Sequence, residues 1–234
     1  MKNLKLKKII EIKNLVKKYG KKIVFNKLNL DIFEGERIAL LGANGCGKTT
    51  LMETICGLRK VDGGYINFPQ GKELFFKSVG MQFQTGNYPN AIRVNDLIYL
   101  YSNVYNQPID KNLKKEFQID EIEYKDVNDL SFGQKKRVEL FLLLSMKLKF
   151  LILDEVTSGM DIFIKMQTLK ILEKYIKTNN VGIFYISHNL EEITTFCNRM
   201  IILKKEGIVF DQKIDNTFDV QKQMESVYPN KKNE

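Results

Sequence analysis

The stretch Gly42-Ala43-Asn44-Gly45-Cys46-Gly47-Lys48-Thr49 constrains this chain more than any other. It follows a short apolar run, Arg37-Ile38-Ala39-Leu40-Leu41, that reads as a buried strand, and it opens a segment with helical spacing, about Gly47 to Leu58. Glycines reach positive φ without steric cost, so successive backbone N–H groups curl around an anion. The helix N-terminus adds a favourable partial charge. Strand, glycine-rich loop and helix in that order make a phosphate-binding loop. Gly42, Asn44, Gly45, Cys46 and Gly47 form its cradle. Lys48 is expected to reach the β- and γ-phosphates of a nucleotide, and the Thr49 hydroxyl to ligate Mg²⁺. Thr50 adds a contact on the α-phosphate side.

A second chemical feature is the acidic pair Asp154-Glu155, delivered by the apolar run Phe150-Leu151-Ile152-Leu153. A buried parallel strand ends there, and ligands of open α/β folds bind beyond such strand ends. Asp154 is placed to hold Mg²⁺ through water, and Glu155 to act as general base on an attacking water. Ser158-Gly159-Met160-Asp161 follows directly.

Composition excludes several classes. Hydrophobic residues make up 44% and charged residues 28% of the 234, as in an ordinary globular domain. No run of about 18 apolar residues occurs, and the richest stretch, Leu140 to Leu153, is broken by Lys147 and Lys149. The basic start, Met1 to Lys5, lacks the apolar core of a secretion signal, so a cytoplasmic location is expected. The net charge is +9, but the lysines are scattered and no aromatic-interleaved basic patch occurs, so nucleic acid is not an expected partner. Cys46, Cys56 and Cys197 show no metal-ligand spacing and read as free thiols. Cys46 is open to two readings: a small residue that fits the loop, or a thiol activated by Lys48 and the helix N-terminus that nucleotide protects.

The pattern predicts an α/β fold. Ile9 to Val16 and Ile23 to Ile32 alternate as half-buried strands. A helical stretch runs from about Arg93 to Met146, with Pro89 and Pro108 as breaks. Phe150 to Leu153 and Val181 to Ser187 read as buried parallel strands joined by a helix from Asp161 to Lys177. Arg199 to Lys204 and Gly207 to Asp211 read as a hairpin, followed by a short helix after Thr217.

Between these elements lies Leu130-Ser131-Phe132-Gly133-Gln134, similar to the Leu-Ser-Gly-Gly-Gln signature of ATP-binding-cassette (ABC) transporters. With the motifs above, the chain resembles the nucleotide-binding subunit of such transporters along nearly its whole length. The resemblance implies a phosphate-loop NTPase (RecA-like) core with an N-terminal antiparallel β subdomain and a helical subdomain inserted at about residues 85–149, all within one ATP-binding domain. It implies ATP and Mg²⁺ as cofactors. It also implies an ATP-sandwich dimer, expected to be a homodimer, in which Ser131, Gly133 and Gln134 of one copy close over the γ-phosphate held by the other. Ser131 at a helix start suits that anion role. Phe132 stands where the family has glycine, so its ring must turn away from the phosphate.

By the same resemblance Tyr19 stacks on adenine, and Gln84 touches Mg²⁺ and the attacking water. Asp161 couples the two sites, and His188, the only histidine, contacts the γ-phosphate. Gln82 is the competing glutamine. A separate transmembrane permease would dock near Gln84 to Tyr101, where Tyr88, Pro89, Ile92 and Tyr99 offer apolar surface, which makes the chain peripheral on the inner face of the membrane. The Tyr88-Pro89-Asn90 and Tyr101-Ser102-Asn103-Val104-Tyr105 segments look most like subunits of small bacterial exporters of drugs, peptides or lipid-like compounds. An importer ATPase shares every motif and is the alternative. A soluble cassette protein acting on ribosomes or DNA is a third reading.

Overall fold

Alternating apolar residues near the N-terminus and short, mostly apolar runs further on dictate two kinds of strand, and both form. The computed structural model describes residues 7–82, 88–205, 207–215 and 217–228. In chain order its elements are β1 (Lys8–Tyr19), β2 (Lys22–Phe33), β3 (Arg37–Leu41), α1 (Lys48–Ile55), β4 (Gly63–Asn67), α2 (Lys72–Ser78), β5 (Val79–Gln82), α3 (Val94–Tyr105), α4 (Lys111–Glu116), α5 (Phe132–Ser145), β6 (Phe150–Asp154), α6 (Ile162–Asn179), β7 (Gly182–Ile186), α7 (Leu190–Phe196), β8 (Arg199–Lys204), β9 (Gly207–Lys213) and α8 (Val220–Val227). Two units result: Met1–Val79 with Gly182–Glu234, and Gly80–Val181.

In the first unit β1 and β2 form an antiparallel hairpin, and β4 joins the other edge of β1. Ile10 faces Ile32, Ile12 faces Leu30 and Leu15 faces Leu28, and all six side chains are buried. One-in, one-out alternation therefore sets the register, because a slip of one residue would expose the whole apolar set. Asn14 and Lys27 take positive φ at irregularities of this hairpin, which bend and twist it.

The second sheet of this unit has a different logic. β3 lies between β7 and β8 and is parallel to both, with Ala39 opposite Tyr185 on one side and Met200 on the other. β9 closes the edge antiparallel to β8. A strand flanked on both edges and covered on both faces must be apolar throughout, and Ile38, Ala39 and Leu40 are fully buried. Each large side chain there contributes roughly 1.5–3 kcal/mol.

Several local features differ from the sequence expectation, three of them in the first unit for clear physical reasons. The helix after the phosphate loop stops at Ile55 rather than Leu58, because Gly57 turns left-handed (φ 75°) and the Leu58 N–H donates to Glu53 O at 2.8 Å. β4 forms despite its two glycines because β1 supplies a partner for its backbone. α2 forms around a ring cluster, Phe68 stacking on Phe75 at 4.5 Å and contacting Phe76 at 5.4 Å.

In the second unit the helical stretch resolves into α3, α4 and α5 with single 3₁₀ turns at Ile119–Glu121 and Val127–Asp129. Asp110 caps α4, accepting from the Asn112 and Leu113 N–H groups, and Asp161 caps α6, accepting from Phe163 and Ile164. The rings of Phe117 and Phe141, 6.3 Å apart, anchor α5. Tyr175 of α6 donates to Leu144 O at 2.8 Å, and burial pushes its phenol up to about 12. All five residues of β6 are buried beside β5.

Arg199 joins three strands of the first unit. Its Nη1 donates to Asp31 O (2.8 Å) and Glu36 Oε2 (2.9 Å), while Nε and Nη2 grip Asp211 at 2.7 Å each. The guanidinium and Glu36 are mostly buried. Removing one member of such a network leaves a desolvated charge unpaired. Arg199→Ala is expected to cost about 3 kcal/mol, read as a lower urea midpoint of the full chain.

Candidate functional site

In the first unit β3 ends at the phosphate loop. Gly47 occupies the N-cap of α1 with φ 110°. A side chain there would fall 2.7 Å from Val24 Cγ1 and 2.9 Å from Phe25 Cε1, so both conformation and space demand glycine. The loop closes on itself through Cys46 N–H to Ala43 O (3.2 Å). Lys48 Nζ donates to Gly42 O at 2.7 Å and Ala43 O at 3.3 Å, holding its ammonium over the loop. Asn44, Gly45 and Thr49 are exposed, and Thr50 is half-buried. Cys46 is only 3% exposed, with its sulfur beneath Gly42. That geometry favours the small fitting residue over the readily alkylated thiol.

Tyr19, 43% exposed at the end of β1, presents its ring with Lys17 Nζ 5.1 Å from the centroid. Lys17 is held by Lys60 O at 2.7 Å and Asp62 at 3.3 Å. His188 follows β7 and is exposed. The strand end before it is fixed by a buried carboxylate the sequence did not mark: Glu192 accepts from Tyr185 (2.8 Å) and Ser187 (2.6 Å). Burial, then Glu192, pushes the Tyr185 phenol well above its usual range.

In the second unit Asp154 ends β6 and is 2% exposed. Glu155 takes φ 48°, left-handed for a residue with a Cβ, and its carbonyl accepts the Ser158 N–H at 3.0 Å. Strain of this kind persists where surrounding structure over-determines it, and it concentrates at functional sites. Lys136 of α5, 2% exposed, lies within electrostatic reach of Glu139, Asp154 and Glu155. Burial holds its ammonium below the usual lysine range although all three carboxylates oppose the shift. The sequence reading missed Lys136; its only mark was a lysine on an otherwise apolar helix face.

Ser131 caps α5 in a reciprocal box: Gln134 N–H donates to Ser131 Oγ (3.2 Å), and Ser131 N–H to Gln134 Oε1 (3.0 Å). Ser131, Gly133, Gln134 and Asp161 share one cavity of about 290 Å³ with Arg137. Within that unit, then, the signature and the Ser158–Asp161 stretch meet. Phe132 is 47% exposed; its ring lies against Gly159 and beneath Lys136 Nζ, 5.7 Å from the centroid.

Gln84 lies outside the described residues. Its competitor Gln82 is buried, its amide donating to Glu139 Oε2 at 3.2 Å. The expected apolar docking surface needs one correction. Tyr99 is exposed, but the Tyr88 hydroxyl donates to Glu139 Oε1 at 3.2 Å, because a half-buried phenol needs an acceptor. Burial raises its pKa, and Glu139 adds to the shift. Among the described residues no helix is long and apolar enough to cross a membrane.

The family model described as ABC transporter matches residues 25–158, which include the phosphate loop, the signature and the Asp154-Glu155 pair. The spermidine/putrescine import ATP-binding protein PotA of Mesoplasma florum is 30% identical over 94% of this chain, which spans 65% of that protein. The methionine import ATP-binding protein MetN of Clostridium tetani is 31% identical over 83% of this chain and is spanned to 66%. The chain thus covers just under two thirds of these curated relatives. A solved ATP-binding subunit of an ABC transporter superposes with a TM-score of 0.79 at 21% identity, over 92% of this chain and 93% of its own, which shows the shared fold. On the matched motifs and the two units that carry them, the chain belongs to the ABC transporter family, as its ATP-binding domain.

Proposed function

We propose that this chain binds Mg-ATP, hydrolyses it as a face-to-face dimer of identical chains, and powers import of a small solute through a separate transmembrane permease. The observation that carries the direction is that relatives matching over most of this chain are named import ATP-binding proteins. Export, suggested by the Tyr88 to Tyr105 segment, has no comparable support. Docking on the permease would make the chain peripheral on the cytoplasmic face of the membrane. The helical stretch at about 85–149 serves as the insert that receives the permease.

Each residue has a proposed role. Tyr19 stacks on adenine, and the loop from Gly42 to Gly47, with Lys48 and Thr50, holds the phosphates. The metal donors would be the Thr49 hydroxyl, Asp154 through water, and Gln84. This all-oxygen set, with an exposed hydroxyl and a buried carboxylate, suits a small hard cation such as Mg²⁺. Bound there, the ion supplies charge neutralisation for phosphoryl transfer. Glu155 accepts the proton of the attacking water, and His188 orients that water and the γ-phosphate. Ser131, Gly133 and Gln134, at the start of α5, complete the phosphate site of the partner copy, and Asp161 couples the two sites. Phe132 is compatible with this arrangement because its ring leans on Gly159.

Glu155→Gln is expected to lower ATP turnover about 100-fold or more while Mg-ATP affinity stays within a few-fold, measured by phosphate release and nucleotide titration. Turnover at the wild-type rate would remove Glu155 from the base role. Chelating Mg²⁺ should abolish hydrolysis by the unmodified chain, and restoring Mg²⁺ should recover it. For direction, the complex captured from native membranes is reconstituted into vesicles and offered labelled spermidine or methionine. ATP-dependent movement toward the compartment holding this chain supports import; movement away establishes export instead.

A further inference from the structure

The Gly42–Ala43 peptide at the start of the phosphate loop is gripped from both edges. Its carbonyl accepts Lys48 Nζ at 2.7 Å. Its N–H donates to the hydroxyl of Tyr228, just beyond α8, at 3.1 Å. The same hydroxyl donates to Leu203 O of β8 at 3.3 Å. Leu203 O in turn lies only 2.3 Å from the position a Gly42 Cβ would take, and Gly42 holds φ 151°, so the loop starts pressed against the end of β8. Tyr228 is itself secured. Lys204 Nζ donates to Val227 O at 2.8 Å and lies 4.9 Å from the Tyr228 ring centroid, and Val220 at the head of α8 is buried.

A peptide group is planar, with its C=O and N–H pointing in opposite directions, so fixing the N–H fixes the carbonyl. From this we propose that Tyr228 is a positioning residue for the nucleotide site. By orienting the Gly42–Ala43 peptide it holds the acceptor that places Lys48, and so ties ATP affinity to the seating of α8. Tyr228 touches no phosphate; it acts through Lys48. The proposal rests on the reading of the loop as an ATP site.

The test uses the full chain and a fluorescent ATP analogue displaced by Mg-ATP. Tyr228→Phe keeps the ring and removes only the hydroxyl. Expected are a Kd for Mg-ATP raised about 3- to 10-fold, the scale of one hydrogen bond, and an unliganded melting temperature within about 2 °C of the original. Turnover at saturating ATP should stay unchanged, so that KM moves and kcat does not. Because the effect passes through Lys48, Tyr228→Phe added to Lys48→Ala should cost nothing beyond Lys48→Ala alone. An unchanged Kd overturns the proposal. So does a Kd that rises only with a fall of several degrees in the unliganded melting temperature, or a full additive loss in the Lys48→Ala background. If Lys48→Ala itself binds Mg-ATP as the original chain does, the ATP reading of the loop fails. If Lys48→Ala weakens binding and Tyr228→Phe does not, only the role of Tyr228 fails.

Discussion

The parallel pairing of β3 with β7 and β8 is the interaction on which the first unit depends. Ile38 to Leu41 are buried, and Ile38 and Ala39 are paired on both edges, so the end of β3 has little freedom. Gly42 leaves that end, Ser187 and His188 follow the end of β7, and Leu203 and Lys204 lie at the end of β8. Three parallel strands therefore present the phosphate loop, the lone histidine and the carbonyl against Gly42 at one edge. In open α/β sheets this is the edge where strands stop and helix N-termini begin, which is why anionic ligands collect there.

Buried polar groups set the fine geometry of these strand ends. Glu192 takes two hydroxyl donors and so fixes the Tyr185–Ser187 segment ahead of His188. In the second unit Lys136 brings an ammonium into the surroundings of Asp154 and Glu155, where burial alone would disfavour any charge. Glu155 carries a left-handed backbone that costs about 1–3 kcal/mol and is held by the turn through Ser158 and by buried Val156. Each of these groups holds a strand end or turn in place within its own unit.

Much of this was legible beforehand, for identifiable reasons. The β1–β2 hairpin, β3, β6, β7 and the β8–β9 pair all carry periodicities that local physics enforces, and the caps Ser131 and Asp161 stand at their helix starts. β4, α2 and α7 had no advance notice, because the first two are stabilised from elsewhere and the third is short. β4 borrows its hydrogen bonds from β1, α2 rests on a three-ring cluster, and α7 is a seven-residue helix capped by Asn189. Tyr88 looked like surface because it sits beside proline in a polar segment, yet its hydroxyl is directed at Glu139, 51 residues away. Cys46 was open to two readings from its neighbours in sequence, and its sulfur, tucked beneath Gly42, favours the small residue that fits the loop.

What the sequence by itself determined is the set of short, contiguous chemical units: the glycine-rich loop with Lys48 and Thr49, the strand ending in Asp154 and Glu155, and the capped signature helix. Each is specified by backbone conformation and hydrogen bonding within about eight residues, which residue order encodes directly. Only the tertiary structure decided which distant groups complete them. Tyr228 meets Ala43 across 185 positions, Arg199 meets Asp31 across 168, and Gln82 meets Glu139 across 57. No local periodicity marks such partners, because the chain must first bury its strands before residues so far apart share one hydrogen bond.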